Sequence, residues 1–221
     1  MCGRFAAGHL TQAQLQEIVE AFLGGGARVD ANAPLPRGGH HIRPTDRIAL
    51  VLREGDGAVL TSANWQIAPP GARPLINARI ENDRFWRRGL DRGRCMIPAL
   101  GYFEWSAVGG RKEPHFVTVR RNAPVLFLAG LLSEDRQGAV ILTRAASKQI
   151  AALHTRMPVI LSGEQMRPWL MGAMDVATAQ RDLGTGWEGR FVHHRVAPLA
   201  PNAEGEEVIA PYAPPQASFE F

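Results

Sequence analysis

The first apolar pattern along the chain has the spacing of an amphipathic helix. Within residues 11–22, apolar side chains recur at intervals of three and four and share one face: Leu15, Ile18, Val19 and Phe22. Thr11, followed three residues later by Gln14, has the form of a capping box, and glycines follow at positions 24–26. The pattern therefore predicts a helix over residues 11–22 that ends at the glycines.

Short apolar runs separated by turn residues dominate the remainder of the chain. Residues 54–57 (Glu-Gly-Asp-Gly) separate two such runs, 48–53 and 58–63, and predict a β-hairpin. Similar runs predict strands over residues 94–97, 100–105, 116–120, 125–131, 139–143, 159–161 and 191–197. Short helices are predicted over residues 147–153, 162–170 and 175–183, and a loop rich in Pro, Gly and Arg over residues 27–47.

This mixture of many short strands and scattered helices predicts an α+β fold. We expect a strand-rich, barrel-like core with peripheral helices. With 221 residues and 45% hydrophobic content, the chain is long enough for one substantial core, which we place in a single domain over residues 1–210. The Pro-rich tail over residues 211–221 is expected to be loosely ordered.

Several classes of protein are excluded by what the chain lacks. It has no run of about 18 apolar residues and no apolar core of a signal peptide near its start, so we expect no membrane span and a cytoplasmic location. In that reducing location Cys2 and Cys95 are expected to be free thiols. The simplest interpretation of Cys95 is a buried structural residue. The paired histidines at 40–41 and 193–194 lack any accompanying CxxC or HExxH motif, and the phosphate-binding glycine motifs are missing, so neither a metal nor a cofactor is predicted.

The basic residues suggest a polyanionic partner without proving one. The net charge is +4, and among 25 basic residues only Lys112 and Lys148 are lysines. The planar guanidinium group binds phosphate with two parallel hydrogen bonds, which suits nucleic acid. GC-rich codon usage explains the same arginine excess equally well, so composition leaves both interpretations open.

The chain begins Met-Cys-Gly-Arg-Phe, and removal of Met1 would make Cys2 the N-terminal residue. Cys2 would then carry an α-amine and a thiol on adjacent carbons, with ordinary pKa values near 8 for the amine and 8.5 for the thiol. Such an aminothiol condenses with an aldehyde to an imine and then closes a thiazolidine ring. The same terminus would also suit the nucleophile of a peptidase or amidase, and position alone favours neither.

Three further positions combine polar chemistry with apolar surroundings. Asn77 and Arg79 share one face if their segment is extended. Glu104 lies within an aromatic run, where burial would raise its pKa towards that of a general acid or base. His154 lies between a predicted helix and a predicted strand, a junction that often lines a cleft, and histidine is the residue type most used to transfer protons. Each also has a structural interpretation: an Asn at a bend, a solvent-facing Glu and a packed His.

Four blocks in this order closely resemble the SRAP family, whose name stands for SOS response-associated peptidase. They are Cys2-Gly3-Arg4-Phe5, Ile76-Asn77-Ala78-Arg79, Arg94-Cys95-Met96-Ile97-Pro98-Ala99-Leu100-Gly101-Tyr102-Phe103-Glu104-Trp105, and His154-Thr155-Arg156-Met157-Pro158-Val159-Ile160-Leu161. The resemblance extends from Cys2 to about residue 200. It implies an α+β fold with a positively charged groove for DNA.

The resemblance implies a sensor and shield of abasic sites in single-stranded DNA, and we expect the chain to be a monomer. Cys2 would form a thiazolidine with the sugar C1′, while Asn77 orients the N-terminal residue or the sugar, Glu104 moves protons and His154 protonates the ring oxygen. The family is also credited with removing its own initiator methionine. Expected DNA contacts are Arg4, His41, Trp65, Arg79, Trp105 and Arg156, with the two indole rings placed against unstacked bases.

The chain departs from the family pattern at residues 40–46, where His-His-Ile-Arg-Pro-Thr-Asp replaces the usual Tyr-Asn-Ile-Ala-Pro-Thr-Gln. His41 thus stands where the family carries a DNA-contacting Asn, and its hydrogen bond to phosphate would depend on pH. Two alternative functions remain at this point. A thiol peptidase or amidase would use Cys2, Glu104 and His154 with turnover, whereas a non-covalent single-strand-binding module would not need the Cys2 thiol.

Overall fold

The computed structural model describes residues 2–36, 38–68, 71–81, 93–108, 110–120, 125–185 and 189–213. The strands are β1 Phe5–Ala6, β2 Ala27–Val29, β3 Arg47–Glu54, β4 Gly57–Asn64, β5 Asn77–Arg79, β6 Arg94–Ala99, β7 Gly101–Val108, β8 Arg111–Val119, β9 Leu126–Leu132, β10 Ala139–Ala145, β11 Arg156–Pro158, β12 Ile160–Leu161 and β13 Phe191–Arg195. The helices are α1 Gln12–Leu23, α2 Gly163–Leu170 and α3 Val176–Gly184, with a 3₁₀-helix at Glu206–Ile209.

The strands form two open sheets. The small sheet has the order β1-β7-β8-β13, and the large sheet has the path β11-β10-β9-β6-β3-β4-β2, with β12 beside β9 and β5 beside β10. The predicted α+β class is confirmed. The expected barrel-like core is too strong a description, because the described strands of neither sheet close on themselves.

Three apolar clusters define the layers. The central cluster joins the two sheets, because it contains Tyr102 and Val117 of the small sheet together with Leu50 and Ile97 of the large sheet. A second cluster lies on the outer face of the large sheet, against α1, α2 and α3. The third lies on the outer face of the small sheet, where the chain after β13 covers it. Cys2 belongs to the central cluster, between the sheets.

Local signals correctly predicted the first helix and the hairpin. The Thr11 hydroxyl accepts a hydrogen bond from the Gln14 amide at 3.2 Å, and the Gln14 side chain accepts one from the Thr11 amide at 2.9 Å. Gly24 ends α1 with a left-handed φ of 64°. The predicted hairpin is β3–β4, which pairs residues 47–54 with residues 57–64 around the Gly55 turn.

Two predicted segments differ in the structure. Residues 147–153 form successive hydrogen-bonded turns instead of a helix. The predicted loop 27–47 contains the short strand β2, which pairs in parallel with β4, a non-local contact that has no local signature. In the predicted tail, the Tyr212 amide donates to Arg195 O at 2.9 Å, whereas residues 214–221 lie outside the described residues.

No helix in the part of the chain that the structure describes is long and apolar enough to cross a membrane.

Candidate active site

The N-terminal segment is fixed from two sides. Its strand β1 pairs antiparallel with β7, so that Phe5 lies opposite Tyr102. Arg4 O accepts a hydrogen bond from the Phe103 amide at 2.9 Å, and Phe5 exchanges backbone hydrogen bonds of 3.2 and 2.8 Å with Ile42. Because these bonds fix the backbone immediately after it, Cys2 occupies a defined position, with 0% of its surface exposed.

Asn77 holds the backbone of Cys2. Strand β5 runs parallel to β10, with Asn77 opposite Ile141, and this pairing brings the amide to the N-terminus. Asn77 Nδ2 donates a hydrogen bond of 2.7 Å to Cys2 O. Asn77 Oδ1 is buried and has no hydrogen-bond partner among the described residues. One side of this amide therefore orients Cys2, and the other keeps an acceptor available beside it.

Glu104 is buried on the face of β7 that lies between the sheets. Side chains alternate along a strand, so Tyr102 and Glu104 share that face. Phe103 points the other way, into the cluster on the outer face of the small sheet. Only 2% of Glu104 is exposed. Burial raises its pKa, and the positive charge of His154 acts in the opposite direction. A carboxyl in this environment takes up and releases protons closer to neutrality than an exposed Glu.

The Cys2 thiol interacts electrostatically with the same carboxyl. Burial raises the pKa of Cys2, and the charge of Glu104 raises it further. The thiol donates a long contact of 3.6 Å to Arg4 O. The thiol therefore stays protonated at neutral pH, and it needs a nearby proton acceptor before the sulfur can attack an electrophile.

The backbone of Arg156 fixes the orientation of the His154 ring. The Arg156 amide donates to His154 Nδ1 at 2.9 Å, which places the proton of the neutral ring on Nε2. Arg156 O lies 3.2 Å from the same Nδ1. The imidazole is thus held in one orientation, with Nε2 as its donor atom.

The expected phosphate-binding arginines lie two residues from the site residues. Arg4 follows Cys2, Arg79 follows Asn77, and Arg156 follows His154 at this spacing. Arg79 is exposed. Arg156 is less available, because it makes a two-pronged ion pair of 2.9 and 3.0 Å with Glu81.

His41 contacts Arg4 and not solvent. It is 7% exposed, and its Nε2 hydrogen-bonds with Arg4 Nη1 while its Nδ1 lies 3.1 Å from Ala203 O. A guanidinium only donates, so Nε2 accepts and Nδ1–H donates to the carbonyl. Burial lowers the pKa of His41, and Arg4 also acts to lower it, which favours this neutral form. His41 therefore orients Arg4, one of the residues expected from the resemblance to contact DNA.

We expect the Arg4 and His41 contributions to DNA binding to be non-additive. Arg4→Ala and His41→Ala should each weaken binding to a single strand about tenfold, the effect of one charged hydrogen bond. The double variant should be little weaker than Arg4→Ala alone, because His41 acts by orienting Arg4. Fluorescence anisotropy with an unreactive oligonucleotide measures the binding affinity of the wild type, the two single variants and the double variant. His193→Ala, an exposed histidine at the other edge of the small sheet, is the control. Additive losses would contradict the arrangement.

The two tryptophans expected to stack on bases occupy different environments. Trp65 is fully buried, its Nε1 donates to Ile76 O at 2.9 Å, and its ring packs edge-on against Phe5 at 5.1 Å. Base stacking needs an exposed ring face, which Trp65 does not have. We therefore assign Trp65 a structural role: its contacts hold β1 and the residue before Asn77 in place. Trp105 is half-buried. It packs against the cluster on the outer face of the small sheet, on the face of β7 opposite Glu104.

Sequence reasoning missed two residues that contact or adjoin the site. Glu81 pairs with Arg156 from the chain beyond β5. Tyr102 shares the inter-sheet face with Glu104, and the two-residue period of a strand was the available signal. Within the described ranges, no group of three or more His, Cys, Asp or Glu side chains is arranged to hold a metal ion.

The family described as SOS response associated peptidase (SRAP) matches residues 1–200 of the chain. The chain belongs to the SRAP family. It is 30% identical to the abasic site processing protein YedK of Escherichia coli (strain K12), over 96% of this chain and 100% of that protein. It is also 29% identical to the abasic site processing protein HMCES of Gallus gallus, over 51% of this chain and 45% of that protein.

The SRAP fold is also found in a solved structure. A phage-related protein of Bordetella bronchiseptica, whose crystal structure is known, is 26% identical, with a TM-score of 0.70 over 88% of this chain and 94% of that one. The family match spans all the candidate site residues, from Cys2 to Arg156. The family expected from the four sequence blocks is therefore confirmed.

Proposed function

We propose that this SRAP protein captures abasic sites in single-stranded DNA as a covalent thiazolidine on Cys2 after loss of Met1. The observation that carries the proposal is the arrangement around Cys2, whose backbone is held by Asn77 and whose thiol interacts with the buried Glu104. The names of the relatives, abasic site processing proteins, support the same substrate. An abasic deoxyribose opens to an aldehyde, the electrophile for which an aminothiol is suited.

The first steps expose the aldehyde and form an imine. His154 gives a proton to the sugar ring oxygen as its bond to C1′ breaks, and the C1′ hydroxyl loses its proton, so the sugar opens without net change. The Cys2 amine then bonds to C1′, and its two protons leave with the aldehyde oxygen as one water. Glu104 carries these protons, and Asn77 Oδ1 accepts a hydrogen bond from the amine.

Ring closure then converts the imine to a stable product. The Cys2 sulfur bonds to C1′, the carbon–nitrogen double bond becomes single, and the thiol proton ends on the nitrogen. No oxidant or reductant is needed. An imine acidifies the neighbouring C2′ hydrogen and so promotes lyase-like strand cleavage, whereas the thiazolidine lacks that double bond. Closure therefore shields the strand.

We propose that the same site removes Met1. Hydrolysis of the peptide bond before Cys2 consumes one water and releases methionine, leaving the amine that the capture step requires. Glu104 is the proton carrier in reach of this bond, since it already interacts with the Cys2 thiol. Met1 loss and capture would then depend on one carboxyl.

Intact mass spectrometry tests the proposal directly. The purified protein is incubated with a single-stranded oligonucleotide that carries one abasic site. The expected mass is that of the chain without Met1, plus the oligonucleotide, less one water. A protein that loses Met1 but gains no DNA would refute covalent capture, and turnover on peptides would then favour the thiol hydrolase.

Glu104→Gln is expected to slow capture by roughly 100-fold or more, because Gln keeps the hydrogen-bonding shape but moves no proton. Rates are measured by gel shift under denaturing conditions, on wild type and variants whose Cys2 terminus has been freed by proteolytic removal of a leader, so that Met1 loss does not depend on Glu104. Glu113→Gln is the control, since Glu113 pairs with Arg195 at 3.0 Å elsewhere in the small sheet. An unchanged rate for Glu104→Gln would remove Glu104 from the mechanism.

The same variant has a predictable effect on stability. Burial raises the pKa of Glu104 in the folded state, so the folded protein binds more protons than the unfolded chain above the ordinary pKa of 4.5. The wild type therefore loses stability as pH rises through the window between 4.5 and the raised value. Glu104→Gln lacks this loss, and its melting temperature relative to the wild type should be higher at pH 8 than at pH 4.

A further inference from the structure

Tyr102 presents a buried hydroxyl that nothing in the proposed mechanism uses. The side chain is fully buried, and its Oη has no hydrogen-bond partner among the described residues. Buried phenols normally have a partner, and leaving one unpaired is destabilising. This cost needs a physical reason.

The position of Tyr102 in the small sheet places it in the same buried layer as the reacting groups. In the β1–β7 pairing it lies opposite Phe5, which follows Cys2 by three residues, and it shares a strand face with Glu104. Tyr102 and Cys2 belong to the same buried cluster between the sheets. The phenol and the thiol are therefore both shielded from solvent in that layer.

Electrostatics keep this hydroxyl protonated. Burial raises the pKa of Tyr102 well above its ordinary value, and negative charge on Cys2, followed by that on Glu104, raises it further. The phenol thus remains a hydrogen-bond donor throughout the pH range in which the thiol reacts. A fixed donor next to a position where negative charge develops is the arrangement that stabilises a transition state.

We propose that the Tyr102 hydroxyl donates a hydrogen bond to the Cys2 sulfur as that sulfur attacks C1′ of the imine. In the structure the hydroxyl makes no hydrogen bond to the thiol, so this bond forms only as the sulfur moves towards C1′. As the sulfur loses its proton, its negative charge gains a donor, and the charge then passes to the imine nitrogen, which takes the proton. The phenol keeps its own proton, and no other bond changes.

This inference rests on the proposed function and deepens it, because it assigns a residue to ring closure alone. The two covalent stages can be separated chemically. Borohydride reduces and traps the imine, whereas the closed thiazolidine has no double bond to reduce. Rapid quenching with borohydride at timed intervals therefore follows imine formation and ring closure as two species in the mass spectrum.

Tyr102→Phe is expected to slow ring closure about tenfold at pH 7, the effect of one hydrogen bond to a charged group. Imine formation and binding to an unreactive tetrahydrofuran analogue should stay at the wild-type level. The rising limb of the closure rate should move to higher pH, because the thiolate has lost its donor. Equal closure rates and pH profiles for variant and wild type would overturn the proposal.

The composition of the chain provides a matched control and a variant that retains the shape of the ring. Tyr102 and Tyr212 are the only tyrosines, and Tyr212 lies near the chain end beside Arg195. Tyr212→Phe should leave both stages unchanged. In that background, biosynthetic replacement of tyrosine by 3-fluorotyrosine alters Tyr102 alone and makes its phenol a stronger donor.

The fluorinated protein should close the ring faster than its unfluorinated parent, the opposite of Tyr102→Phe. This measurement decides the matter even if Tyr102→Phe fails to fold. A closure rate that does not rise would show that the phenol only fills space. Absence of any adduct in the wild type would instead refute the proposed function itself, so the two failures are distinguishable.

Discussion

Cys2→Ala is expected to abolish stable covalent capture without reductant while leaving salt-sensitive DNA binding close to that of the wild type. Alanine retains the α-amine after Met1 is removed, so an imine remains possible, but no sulfur is present to close the ring. The product that resists borohydride, heat and denaturant should therefore disappear completely. The arginines that we expect to bind phosphate are unaffected, and binding should still weaken as salt concentration rises.

The measurement compares adducts before and after borohydride treatment. Cys2→Ala should give an adduct only when borohydride is present during the reaction. Cys95→Ala is the matched control, because Cys95 is the other cysteine and is equally buried, yet it lies in β6 of the large sheet. It should capture DNA at the wild-type rate. A stable Cys2→Ala adduct formed without reductant would exclude Cys2 as the nucleophile.

The burial of Cys2 has opposing consequences for reactivity. A buried thiol is protected from oxidation and from unselective electrophiles, because burial raises its pKa and little thiolate forms. The same burial would make the Cys2 thiol a slow nucleophile, unless the site supplies a proton acceptor when the aldehyde is present. Glu104, whose own pKa is raised by burial, suits that exchange. Selectivity for a strand-bound aldehyde then follows from coupling reactivity to DNA binding.

The parts of the fold that local sequence determines were predicted well. Helix α1 is specified by its own capping box and its apolar stripe, and the β3–β4 hairpin by its own turn. Strand β5 has only three residues, and it is held by parallel pairing with β10 more than 60 positions later. No local pattern predicts such pairing, since its stabilising contacts are distant along the chain.

Prediction of the candidate site was limited in the same way. Cys2 and Glu104 stand out because their chemistry is unusual for their positions, and the charge of Glu104 raises the pKa of the buried Cys2 thiol beyond the effect of burial. His41 was expected to meet DNA, but its hydrogen bonds join it to Arg4 and to Ala203, which lies far away near the other end of the chain. No pattern near His41 reports that contact. A family pattern therefore identifies reacting groups more readily than the residues that position them.

Extending the N-terminus by one residue is expected to abolish ring formation as completely as Cys2→Ala does. With an alanine inserted between Met1 and Cys2, the Cys2 nitrogen becomes an amide, which is not nucleophilic. The thiol stays, but it no longer shares a two-carbon unit with a free amine, so a five-membered ring cannot close. Because β1 is fixed by its pairing with β7, the segment cannot shift to compensate.

Restoring the free Cys2 terminus provides a direct test of this prediction. A removable leader placed directly before Cys2 should block capture, and its proteolytic removal should restore capture at the wild-type rate, since the final chain is identical. The intact mass reports both states in one sample. Capture by the uncleaved protein would show that the α-amine is not needed, and that the thiol alone attacks the sugar. The cleaved protein could fail to react under conditions in which the untagged wild type reacts. That result would show that a free aminothiol is insufficient, and that removal of Met1 by the protein's own site is also required.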